Sequence, residues 1–307
     1  MAIIRTDWDT STGKETLRNV VRMTYDTTAR ETLSEWKELF KDEKTELYQE
    51  TIQRIAGLGA MSSTAEGSNY NIETPKYGST KTFTQTKFTN GFRITEEMQK
   101  FNKINLMKTL TSSLAQTMAE GKDLELAKVW NNTTATTYAS GFDTQAIGSA
   151  SHTTLDDAGT TYDNLISGDL TVANLESALA YFDAVYDDQG NIFVHTPRKL
   201  VVNKNLRMRA YKLLNSTGQY DEMSNTINAF KSLNLTTFVY HRISSSTAWF
   251  VLGDKAHKSY GPVVFTSQEP ELRQKDAPDA TRDLLVTSGQ LFTYGCPDPR
   301  LIVVGNV

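Results

Sequence analysis

Cysteine is almost absent from this sequence: Cys296 stands alone among 307 residues. That excludes a disulfide framework and a zinc ribbon. Long apolar runs are missing as well, since no stretch approaches the roughly 18 apolar residues of a membrane span. The first ten residues, MAIIRTDWDT, carry charge where a signal peptide needs an apolar run. An excess of positive charge is also lacking. The 32 Lys and Arg face 36 Asp and Glu, for a net charge of −4, whereas dedicated nucleic-acid binders are usually basic. Hydrophobic residues make up 38% of the chain and the mean hydropathy is −0.44, low for an enzyme of this length. The expectation is a soluble protein made in a cytoplasm, with extended parts that find their partners outside their own chain.

Catalytic patterns are equally scarce. His152, in GSASHTTLDD, has Ser149, Ser151, Asp156 and Asp157 near it. Proximity in sequence does not make a triad, which is defined by three-dimensional roles, and no G-x-S-x-G elbow is present. His195, His241 and His257 show no metal-ligand spacing. GLGAM is an incomplete dinucleotide fingerprint and no phosphate-binding P-loop exists. DDAGTTYDN and VYDDQGN lack the spaced acidic ligands of a calcium loop. The basic run RKLVVNKNLRMRAYK puts Lys204, Arg207 and Arg209 on the solvated side of a helix. No catalytic residue, cofactor or metal is expected. His152 reads as a polar loop residue whose replacement leaves the protein intact, and a hydrolase using His152 is the minor alternative.

What is there begins with a charged, loosely helical segment, ETLSEWKELFKDEKTELYQETIQRIAG, in which Leu33, Trp36, Leu39 and Phe40 fall at helical spacing. It reads as an arm that docks on something. IAGLGAMSSTAEGSN follows as a small-residue hinge. SNYNIETP and TKTFTQTKFT then read as the two arms of a long hairpin with its tip at residues 75–79 and a bend at Asn90-Gly91. In TKTFTQTKFT the alternating residues point to opposite faces. Phe83 and Phe88 therefore face opposite ways, and neither face is apolar enough for a core. Over residues 104–131, Met107, Leu110, Leu114, Met118, Gly121 and Leu124 recur at steps of three and four and predict one long helix. Gly121 suggests a bend or a close contact there. A Thr/Ser/Gly-rich polar loop comes next.

A second unit starts near Leu170. Thr171 caps a predicted helix bearing Leu175, Leu179, Phe182 and Tyr186, with Gly190 as its stop. A buried strand at residues 200–202, a helix through Leu206, Ala210, Leu213 and Leu214 ending at Gly218, and several short strands complete the chain. Without regular βαβ alternation the class is α+β.

The order of these parts resembles the major capsid proteins of tailed bacteriophages, the Hong Kong 97-type (HK97-like) fold, and most of all the Mu-like major head subunit group. NGFRITEEMQKF, LAQTMAEGKDLELAKVWNN, GFDTQAIGSASH, TPRKLVVNKNLRMRAYKLLNS, STAWFVLGD and SGQLFTYGCPDPRLIVVGN carry the likeness. Asp143-Thr144 stands where that family commonly has Asp-Gly. The resemblance implies an N-terminal arm (1–56), an extended hairpin loop (57–95), a peripheral domain with the spine helix (96–165 and 262–296) and a mixed α/β axial domain (166–261 and 297–307). It implies a non-catalytic head protein that assembles with itself into pentamers and hexamers of an icosahedral shell. Scaffold, portal and decoration proteins would be further partners. The shell would enclose double-stranded DNA without sequence-specific binding, with no membrane involved, in the virion and, during assembly, in the host cytoplasm. Tyr70, Ile72, Phe83 and Phe88 of the hairpin are the expected intersubunit contacts. An encapsulin-like bacterial compartment, which shares the fold, and a tail or baseplate component are the competing readings.

Overall fold

In the computed structural model, which describes residues 11–31, 34–59, 61–95, 97, 104–156, 159–216, 218, 227–254, 260–276 and 283–306, the first helix is α1 (Ser11–Glu31). Its Val21 and Tyr25 are buried against Met107, Leu114, Ala115 and Met118 of α2 (Ile104–Asn131), the long helix expected from the spacing. The hydroxyl of Tyr25 shares a 2.6 Å hydrogen bond with that of Ser288. The arm's partner is therefore the spine helix of its own chain. Gly121 lies on the open side of α2, where an added Cβ would meet nothing within 4 Å; the expected close contact is not there.

The charged segment after α1 is not a continuous helical arm. Trp36, Leu39 and Phe40 are buried in the main core around a short 3-10 turn, Glu35–Glu38, while Leu33 lies outside the described residues. KDEK and QETIQRI are strands β1 (Lys41–Lys44) and β2 (Gln49–Ile55). Helical preference in Glu, Lys and Gln is weak per residue, and pairing with distant strands overrides it. Next come β3 (Tyr77–Thr84), β4 (Thr86–Ile94), β5 (His152–Thr153) and β6 (Thr161–Tyr162). β7 (Leu165–Ile166), α3 (Val172–Ala184), β8 (Pro197–Val202), α4 (Arg207–Asn215), β9 (Thr236–Val239) and β10 (Trp249–Gly253) follow. β11 (Val263–Asp276), β12 (Leu284–Gly295) and β13 (Ile302–Gly305) close the series.

Two sheets organise these strands. One runs β1-β11-β12-β4 and the other β7-β13-β10-β8-β9, while β2-β3 and β5-β6 are separate pairs. A single core joins the two sheets. Leu126, Val129 and Trp130 of α2 meet Val264 and Phe292 of the first sheet and Val201, Phe250, Ile302 and Val304 of the second. A second core lies beneath α3 and α4, with Leu175, Phe182, Leu213 and Leu214 on Leu200, Val202, Trp249 and Val251. The Thr171 side chain caps α3 by accepting from the Asn174 N–H. The helix stops at Ala184 because Val185 turns extended. Tyr186 thus lies beyond it, bridged to Ile192, and Gly190 serves the tight turn between them at φ +79° instead of ending the helix.

TKTFTQTKFT is two strands, not one. β3 pairs with β2, β4 pairs with β12, and the chain changes sheets at Gln85. That residue is buried, with its N–H on Tyr48 O at 3.0 Å and its Nε2 on Phe265 O at 3.3 Å. The extended hairpin accordingly has β2 and β3 as its arms and residues 56–76 as its tip, and SNYNIETP is not a strand. Asn90-Gly91 is no bend either. It sits within β4 opposite Ser288 and Thr287, and Gly91 is required there because a Cβ would stand 2.7 Å from Val286 O.

Candidate functional site

The hairpin residues divide into two groups. Phe83 is 9% exposed and packs with Ile52 on Val263 and Phe265, its ring 5.4 Å from that of Phe265. Phe88 is half-buried and stacks on Phe292 at 4.6 Å. Both were expected to be held by a neighbouring copy. Within one chain Phe83 is already buried, and Phe88 has a ring partner but keeps part of its surface open, since the switch at Gln85 lays each half of the segment on a different part of the same body. Tyr70 and Ile72, by contrast, are 87% and 88% exposed. Leu58 and Met61, which the sequence reading passed over, are exposed and line one concavity with Tyr70, and Tyr77 at the start of β3 is exposed as well. Apolar side chains in a Ser-, Thr- and Gly-rich segment were the signal for these.

The outer part of the β2-β3 ladder is fixed by polar contacts. Arg54 of β2 is 6% exposed, and its Nε lies 3.1 Å from both carboxylate oxygens of Asp188. Arg54 Nη2 donates to Asp188 Oδ1 at 2.5 Å and to Thr153 O at 2.8 Å. The fully buried Arg300 donates to the same Asp188 Oδ1. Burial alone would raise the Asp188 carboxyl, but Arg54 and Arg300 together hold it below the ordinary range. On β3, Lys81 Nζ donates to Ser140 Oγ at 2.6 Å and Ser79 Oγ to Phe142 O at 2.5 Å. Sequence reasoning missed this cluster because Arg54, Asp188 and Arg300 come from three distant segments.

His152 is fully buried, and both ring nitrogens are engaged. Nδ1 lies 2.7 Å from Asp143 Oδ2 and Nε2 lies 3.2 Å from Ile147 O. Both partners are oxygens of the protein itself, so neither ring nitrogen is presented to a substrate. Its face stacks on Tyr162 at 4.8 Å. Among the described residues no hydroxyl hydrogen-bonds this ring. The polar loop residue of the sequence reading is a structural one. Burial would raise the Asp143 carboxyl, and the hydrogen bond and charge of His152 outweigh it and lower it. Asp156 is engaged elsewhere, by Thr154 and Thr160. Cys296 is buried, which pushes its thiol well above the usual range. Among the described residues no group of three or more His, Cys, Asp or Glu gathers to hold a metal.

Residues 78–305 match the sequence model of a family of phage capsid proteins. No curated protein matches the chain. Among solved structures, the capsid of cyanophage P-SCSP1u superposes with a TM-score of 0.57 at 10% identity, covering 89% of this chain and 88% of that one. A virus-like particle from Pyrococcus furiosus gives 0.53 at 12% identity, covering 93% and 98%. The capsid of an empty GTA particle gives 0.56 at 9%, covering 89% of each. These neighbours share the HK97-like fold.

Proposed function

From the premise that this chain belongs to the phage capsid protein family, in which it is a major shell subunit that assembles with copies of itself, we infer that the tip of its extended hairpin carries a contact to the neighbouring copy. One observation carries this reading. Leu58, Met61, Tyr70 and Ile72 hold large apolar surface in water on a segment with no core of its own. Burying such a side chain contributes roughly 1.5–3 kcal/mol, and a shell repeats the gain at every subunit. Head-to-tail contacts of this type close into rings where the rotation permits, so pentamers and hexamers are the proposed building units.

The protein is a structural component of the virion capsid, and the family match favours a genome shell over a bacterial compartment. We propose further that the shell encloses double-stranded DNA without gripping it, consistent with the net charge of −4, and that it works without catalysis. Scaffold and portal proteins would be its assembly partners in the host cytoplasm. In this reading the sheet β1-β11-β12-β4 with α2 forms the peripheral domain, and the sheet β7-β13-β10-β8-β9 forms the axial domain. The test is the triple variant Met61→Ser, Tyr70→Ser, Ile72→Ser. It should fold as the parent does and yield few or no particles by electron microscopy. Normal particle yield would remove the hairpin tip from the interface.

A further inference from the structure

The hairpin β2-β3 joins the body at one end only. Its two strands leave side by side where Gln85 N–H meets Tyr48 O, and an isolated two-stranded ribbon is marginal in water. Its large apolar contact, Phe83 with Ile52 on Val263 and Phe265, lies close to that joint. Farther out the contacts become polar: Lys81 to Ser140, Ser79 to Phe142 O, Arg54 to Asp188, and Gln189 to Gly57 O.

We propose that Arg54 is a latch: its ion pair with Asp188 holds the outer hairpin against its own subunit, and opening the pair lets the part of β2-β3 beyond the Phe83–Ile52 contact lift away while that contact and the body stay in place. Asp188 is shared, and the sharing is what makes two arrangements available. When Arg54 withdraws, Asp188 keeps Arg300, so the body retains no unpaired carboxylate there. Arg300 also has two buried donors, Nε and Nη1, without a hydrogen-bond acceptor in the closed arrangement. Its Nε lies 3.6 Å from Asp298 Oδ2. Release of Arg54 frees carboxylate lone pairs that these donors can take up, while Arg54 itself gains water. A buried ion pair contributes little net stability because desolvation offsets attraction. It therefore holds a position without making that position irreversible, which a wholly apolar seam would not do. Two such states of similar free energy are what a conformational switch requires.

The latch is a property of the single chain, and only its use in assembly rests on the reading of the hairpin tip as an intersubunit contact. The experiment is hydrogen–deuterium exchange on the full-length unassembled protein, comparing the parent with Arg54→Met and Arg54→Lys. In Arg54→Met the amides of β2 and β3 beyond the Phe83–Ile52 contact should exchange about tenfold faster, with those of β10 and β13 unchanged. Arg54→Lys keeps the charge and gives up the two-pronged contact, so it should fall between the two. Hairpin exchange at the parent rate in Arg54→Met overturns the proposal, and so does uniform acceleration across the body in either variant, because the cluster would then be ordinary core stabilisation. Particle formation is not read in this measurement, so an error about the assembly contact leaves its outcome untouched.

Discussion

Trp36 and Asp123 tie the segment after α1 to the spine helix: the backbone N–H of Trp36 donates to Asp123 Oδ1 at 2.9 Å. The neighbouring residue of the helix, Lys122, lies over the Trp36 ring at 4.3 Å and donates to Thr266 Oγ1 at 3.1 Å. Burial lowers the Lys122 ammonium below its usual range. Trp36→Ala should cost about 3–5 kcal/mol, the range for emptying a large aromatic site. Asp123→Ala should cost about 1–3 kcal/mol by leaving buried backbone N–H unpaired. Urea unfolding of the unassembled chain measures both; an unchanged midpoint for Trp36→Ala would contradict the core assignment.

Phe83 and Tyr70 should separate folding from assembly. Phe83→Ala is expected to lower the stability of the unassembled subunit by about 3–5 kcal/mol. Tyr70→Ser should leave its melting temperature within a degree or two while reducing particle yield, since surface changes usually lie within about 0.5 kcal/mol. Equal effects of both substitutions on melting would refute the division of the hairpin into a body-facing root and a free tip.

Acid should weaken the Asp188 cluster. Its carboxyl titrates below the ordinary range in the folded chain, so its contribution is fully present above the ordinary aspartate value of about 4. It is lost as pH falls through the lower folded value. Asp188→Asn should cost about 3–5 kcal/mol at pH 7 by leaving guanidinium groups unpaired. That gap should narrow below about pH 4, because the parent then loses the same charge. Unfolding midpoints at three pH values test the sign; a gap that widens in acid would be inconsistent with it.

His152→Ala should destabilise the protein, against the expectation from sequence that it is dispensable. It empties a buried site and strips Asp143 of its partner, a loss of about 3–5 kcal/mol if the buried carboxylate stays charged. Thermal melting reads the effect, and a variant as stable as the parent would return His152 to the role of a bystander.

What was legible in the sequence follows the range of the interactions. The spine helix was found with its ends at 104 and 131 because its apolar steps lie within one element. The Thr171 cap and the strand around Val201 were legible for the same reason. β1 and β2 were hidden because Glu, Lys and Gln gave a local helical signal, while the partner of β1 lies more than 200 positions away in β11 and that of β2 lies across the long hairpin tip in β3. The break at Gln85 left no mark in TKTFTQTKFT, since alternation continues through it. Arg54 carried no local sign at all, because its meaning depends on Asp188, 134 positions away.

The core that binds both sheets to α2 has a geometric consequence. Copies that close into a shell cannot all meet flat, so the contacts between them must bend. Leu126, Trp130, Phe250, Phe292 and Ile302 lock the body into one stiff tile, and close-packed interiors transmit strain instead of absorbing it. Curvature is then expected at the seams, and we propose that the hairpin tip, whose described positions among residues 56–76 hold no strand or helix, is the part of each tile that takes it up.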